Sequence, residues 1–145
     1  MGEITAESAE RVGGIAGHLQ QFSFMGDCLN TAQYGGSKGK SAGIAGRSDS
    51  QSDLFCCLNL GSKWEEPLVY TSHSTSCKAT YFLAEAFPDR VSTAEEPSIK
   101  LNNLANKSKY PGSWDFSSAK PVWSVVNKSG EFPVPKHSKM ETKCY

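Results

Sequence analysis

The sequence predicts a small, loop-rich α+β fold: an N-terminal helix, a few short strands and an extended Pro- and Lys-containing C-terminal arm, with substantial disorder. Three observations carry that expectation. Apolar residues recur at helical spacing near the N-terminus, short apolar or alternating runs fill the centre, and the apolar supply is thin. Leu, Ile, Val and Phe make up 27 of 145 residues and Gly, Pro and Ser 40, close to the low-complexity and disordered range. The formal net charge is zero, so the high charge of a fully disordered chain is missing. The alternative is a chain that is disordered alone and folds on a partner.

Residues 5–22 carry the helix signal. Thr5 and Ser8 are N-cap residue types, Glu7 and Glu10 suit a helix start, and Val12, Ile15, Leu19 and Phe22 form one stripe at helical spacing. Gly13-Gly14 interrupts it at about 1 kcal/mol per Gly relative to Ala. Residues 1–32 therefore read as an N-terminal helical segment. Residues 33–52 are rich in Gly and Ser, with Ile44 the one large aliphatic side chain, and read as a flexible linker.

The small α+β centre spans 53–126. Residues 53–60 (DLFCCLNL) and 67–72 (PLVYTS) read as strands, and 77–87 (CKATYFLAEAF) as a strand or short helix ended by Pro88. Residues 98–104 suit one or two helical turns capped by Ser98. Residues 110–116 make a turn between aromatics, and 120–126 (KPVWSVV) are the strongest strand by β-branched content. Residues 127–145 read as an extended basic tail in which Pro133 and Pro135 forbid a central strand. No internal repeat is apparent beyond two Asn-Lys-Ser triplets, at Asn106 and Asn127.

Charge is asymmetric: residues 1–97 carry net −5 and 98–145 net +5. All eight cations of residues 98–145 are Lys. Without Arg there is no bidentate fork for phosphate or guanine, which disfavours nucleic acid. No apolar run approaches a membrane span and the N-terminus lacks a signal-peptide pattern. The chain is thus expected to be intracellular and cytoplasmic. Its five cysteines read as reduced thiols.

Each chemical motif departs from its template. Gly39-Lys40-Ser41 ends like a phosphate-binding loop, but the first glycine of that loop would fall at Tyr34. Cys56, Cys57, His73 and Cys77 are the candidate metal ligands, or the thiols and base of a small enzyme. Adjacent cysteines on a strand point to opposite faces, unlike the spaced pairs of zinc sites. The pairs Glu65-Glu66 and Glu95-Glu96 sit beside prolines, as solvated turn charges do. No catalytic residue, cofactor or small-molecule substrate is implied. Tyr110, Trp114, Phe116, Trp123 and Phe132 remain: large aromatics along a Lys-bearing segment, suited to anchor a protein partner or to complete the chain's own core. The expected function is non-enzymatic, an interaction or structural accessory protein that gains order on a larger assembly through these anchors. A zinc or thiol-dependent domain using His73 and the central cysteines is the alternative.

Overall fold

Ala16, Phe24 and Leu29 each pair in parallel register with the residue 29 positions further along, Ala45, Asp53 and Leu58. The next turn pairs those three with Val69, Ser76 and Tyr81. That regularity comes from a computed structural model, which describes residues 2–6, 11–36, 40–72, 75–126 and 132–136. The chain winds as a stack of rungs, a parallel β-solenoid, and each of three rungs contributes one strand to each of the three main sheets.

A leading strand β1 (Glu3–Ile4) precedes the first rung. That rung holds β2 (Val12–Gly13), β3 (Ala16–Leu19), β4 (Phe24–Gly26), β5 (Leu29–Asn30) and β6 (Gln33–Tyr34). The second holds β7 (Ser41–Ala42), β8 (Ala45–Ser48), β9 (Asp53–Phe55) and β10 (Leu58–Asn59). The third holds β11 (Val69–Ser72), β12 (Ser76–Lys78) and β13 (Tyr81–Leu83), and β14 (Ser98–Ile99) adds a partial fourth. Parallel sheets run β3-β8-β11, β4-β9-β12 and β5-β10-β13-β14, with shorter pairs β2-β7 and β1-β6. A separate antiparallel ribbon joins β15 (Trp123–Val126) to β16 (Phe132–Pro135).

This corrects the α+β expectation. Among the described residues helix is confined to three-residue 3-10 turns, at 84–86, 101–103 and 107–109. The stripe in 5–22 is not one face. Val12 and Leu19 are buried, whereas Ile15 is 42% and Phe22 73% exposed. A tight bend after β2 changes which side chains turn inward, and that mimics helical spacing. Residues 33–52 are likewise no linker where they are described. They supply β6, β7 and β8, and Ser41, Ala42, Ile44, Ala45 and Ser48 are all buried. Small residues here serve close packing: a Cβ added to Gly43 would lie 1.9 Å from Asn59 Nδ2. Ser98 opens a strand, not a helix, and the turns follow it.

The chain also has the repeat that was not apparent. Gly14-Ile15-Ala16-Gly17 recurs as Gly43-Ile44-Ala45-Gly46, and Cys28-Leu29-Asn30 as Cys57-Leu58-Asn59, both at the 29-residue period. The corners repeat too. Asp27, Cys56 and Ala79 hold one corner in three rungs with φ of 54°, 52° and 50°, and Phe22 and Gln51 hold another at 61° each. Non-glycine residues in this left-handed region cost energy, so the stack itself fixes these bends.

Two cores result. The tube interior contains Val12, Leu19, Ile44, Leu54, Cys57, Leu68 and Phe82. The second lies outside β5-β10-β13-β14, where Leu58 and Cys56 meet Ile99, Leu104, Tyr110, Trp114 and Trp123. The C-terminal segment docks there against the left-handed corner at all three rungs. Trp123 Nε1 donates to Asp27 Oδ1 (3.0 Å), the Cys56 thiol to the Ser113 carbonyl (3.5 Å), and Trp114 Nε1 to the Ala79 carbonyl (2.7 Å). β16 is an outer strand in the two-stranded ribbon, as its prolines require.

Candidate functional site: the open first rung

Strands β3, β4 and β5 pair with the second rung on one side, and no described strand pairs with their other side. Among the described residues their outward N–H and C=O groups therefore have no strand partner, the kind of edge on which another chain adds a strand. The second rung, in contrast, is paired on both sides through β8, β9 and β10. Aromatic surface accompanies the open edge: Phe22 is 73% and Phe24 68% exposed, at a corner and in β4. Phe24 rests against Phe55 of the second rung, ring centroids 6.3 Å apart.

Beside this edge, on the outer face of β3 and β8, His18 Nε2 lies 2.9 Å from Asp49 Oδ2 and Arg47 Nε donates to Asp49 Oδ1 at 3.0 Å. Desolvation pushes the Asp49 carboxyl up, but the hydrogen bonds and charges of His18 and Arg47 together outweigh it and hold the group below its ordinary value. The His–Asp pair joins neighbouring rungs on an exposed face.

At the other end of the stack a cavity of about 620 Å³ opens beside β12, lined by Val69, Ser76, Cys77, Lys78, Glu95 and Glu96 among others. Burial pushes the Cys77 thiol up to about 12, with Glu96 and Asp53 adding to the effect. Burial also raises Glu96, as does the nearby Glu66, while Arg90 opposes. Arg90 pairs with Glu66. Cys56, buried in the second core, is pushed up to about 11 by desolvation. Both shifts disfavour the thiolate form that a cysteine nucleophile uses.

Cys56 and Cys57 face opposite cores, so the two thiols do not converge on one ion. His73 lies outside the described residues, and among those described no three His, Cys, Asp or Glu side chains form a metal-holding group. Of the Gly-Lys-Ser motif, Lys40 and Ser41 lie within the described residues and Gly39 outside them. Lys40 is a left-handed corner (φ 59°), and the buried Ser41 hydroxyl accepts from the Glu65 N–H at 3.2 Å.

The aromatic candidates come together, but inward. Tyr110, Trp114 and Trp123 are 6%, 3% and 1% exposed, with Phe116 and Phe132 packed at the margin of the same core. Trp114 is their hub, with ring centroids 4.7 Å from Tyr110 and 4.3 Å from Trp123. Phe22 and Phe24 were missed because both looked like ordinary apolar residues of the N-terminal segment; the 29-residue repeat, once seen, makes them members of a terminal rung. No helix among the described residues is long and apolar enough to cross a membrane. Comparison with protein-family models, curated proteins and solved structures gives no match.

Proposed function

We propose that this is a non-enzymatic, intracellular interaction protein, a structural accessory unit that joins a larger assembly by taking an extended strand of a partner protein onto its first rung. The observation that carries the proposal is the open edge of β3, β4 and β5 beside exposed Phe22 and Phe24. Strand addition would satisfy the free backbone groups, and the rings would supply apolar contact area. The contact surface is placed here and not on Tyr110, Trp114 and Trp123, whose rings are occupied by the protein's own second core. Free thiols at Cys28, Cys56, Cys57 and Cys77 suit a reducing compartment.

The test is affinity capture from the native cell with the wild-type chain and with a Phe22→Lys/Phe24→Lys variant, followed by hydrogen exchange on the captured complex. Retention should fall about tenfold or more in the variant, and residues 16–30 should exchange more slowly in the complex than alone. A variant that keeps every partner, or a complex in which 16–30 exchange at the free rate, would overturn the proposal.

A further inference from the structure

Inside the tube, Cys28 and Cys57 occupy the same position of successive rungs. The residues that follow them pair in register, Leu29 with Leu58 and Asn30 with Asn59, and the Leu58 N–H donates to the Cys28 carbonyl at 2.8 Å. Paired strands lie roughly 4.8 Å apart, and disulfides span Cα separations of about 4.4–6.8 Å. Both thiols also lean the same way. Cys28 Sγ is 3.2 Å from the Gly26 carbonyl, and Cys57 Sγ is 3.5 Å from the equivalent Phe55 carbonyl and 3.8 Å from that of Met25. Each thiol is also the largest influence on the other's ionisation.

The other described cysteines have no such neighbour. Cys56 faces the second core, and Cys77 stacks on Leu54. At the third rung the Cys28–Cys57 position is Thr80, whose hydroxyl accepts from the Cys57 N–H at 3.3 Å.

We propose that Cys28 and Cys57 are an oxidation site for hydrogen peroxide and close an inter-rung disulfide that ties the first rung to the second. The Cys28 thiolate sulfur attacks one peroxide oxygen. The S–O bond forms, the O–O bond breaks, and the departing hydroxide takes up a proton to leave as water. The Cys57 sulfur then attacks the sulfenic sulfur of Cys28. The S–S bond forms, the S–O bond breaks, and the leaving hydroxide carries away the Cys57 proton as a second water. Two thiols lose two electrons and one peroxide is reduced to two waters.

The division of roles follows from the surroundings. Cys28 is half-buried in the first rung, whereas Cys57 is fully buried in the second. The Cys57 hydrogen bond holds the Cys28 thiol down at about 7, against burial and Asp27, while the same contact and burial raise Cys57. Cys28 therefore supplies the thiolate and Cys57 the resolving thiol.

The experiment treats the full, folded chain with hydrogen peroxide, quenches it, alkylates it in denaturant and maps the cysteines by mass spectrometry. The expected product is one linked peptide pair, Cys28 to Cys57, with Cys56 and Cys77 still alkylated and a melting temperature higher by about 5 °C or more. In Cys57→Ser the sulfenic acid should persist at Cys28 and be trapped by dimedone. Unfolding the chain in urea before oxidation should give mixed pairings. Folded wild-type protein in which Cys28 and Cys57 remain alkylated, or in which Cys28 pairs with another cysteine, overturns the proposal whatever the variant does.

Discussion

Trp123 Nε1 donates to the Asp27 carboxylate at 3.0 Å across 96 residues of chain. One indole thereby ties the C-terminal segment to the corner of the first rung, with its ring 1% exposed in the second core.

Trp123→Ala should cost about 3–5 kcal/mol, the range for emptying an aromatic core site. Trp123→Phe keeps most of the ring and drops the N–H, so it should cost about 1–3 kcal/mol. Chemical denaturation of the two variants checks the order. A Trp123→Phe variant as stable as wild type would mean that the Asp27 bond contributes nothing.

A second tie runs between rungs inside the tube. Asn30 Nδ2 donates to Asn59 Oδ1 (2.9 Å) and the Gly43 carbonyl (2.8 Å), while Asn59 Nδ2 donates to the Pro67 carbonyl (2.8 Å). Each Asn also accepts from the N–H two residues on, at Ala32 and Gly61. Asn59→Ala removes one side chain and strands three buried groups, so about 2–5 kcal/mol should be lost. Thermal unfolding checks it. A loss below about 1 kcal/mol would show that water replaces the amide.

Two glycines of the repeat separate packing from composition. Gly43→Ala drives a methyl into Asn59, 1.9 Å from Nδ2, and into the Pro67 carbonyl at 2.5 Å, whereas Gly17→Ala meets nothing within 4 Å. The first should cost about 3 kcal/mol or more and the second should lie within about 0.5 kcal/mol of wild type. Similar melting temperatures for both would place Gly43 in a loose segment.

Glu96 gives a pH-dependent prediction. Its folded pKa is raised by burial and by Glu66, so the folded state holds its proton more tightly than the unfolded chain. That contribution is present below the ordinary carboxylate pKa and is lost as pH rises through the folded value. Glu96→Gln should therefore be more stable than wild type at neutral pH and equal to it near about pH 4. A variant less stable at neutral pH reverses the sign and contradicts the assignment.

Cys28 can be titrated directly. Its alkylation rate should rise with a midpoint at about 7, and Cys57→Ala should move that midpoint up towards an ordinary thiol by removing the donor. An unchanged midpoint would mean that Cys57 does not touch it.

Local strand chemistry was legible in the sequence where β-branched and aromatic residues cluster, as in Trp123–Val126, and where Pro133 and Pro135 exclude a central strand. The winding was not. Rung corners at Phe22, Asp27 and Cys56 reset the inward–outward alternation every few residues, so neither a period of 2 nor one of 3.6 survives over a useful window. The repeat is carried by only two short words, around Ile15/Ile44 and Cys28/Cys57, separated by unrelated residues. Gly and Ser between them resemble a flexible coil because a narrow tube and a linker both favour small side chains. The candidate edge was invisible for a different reason: an unpaired strand is defined by its neighbours in space, and Phe22 and Phe24 carry no mark of it.

Hydrogen exchange on the free chain, resolved by peptide, tests the stacked-rung account most directly. Residues 41–59 form the middle rung, paired on both sides, and should be the most protected segment, with 16–30 exchanging faster at their open edge. Fast, coil-like exchange across 41–48, or stronger protection in 16–30 than in 45–59, would contradict it.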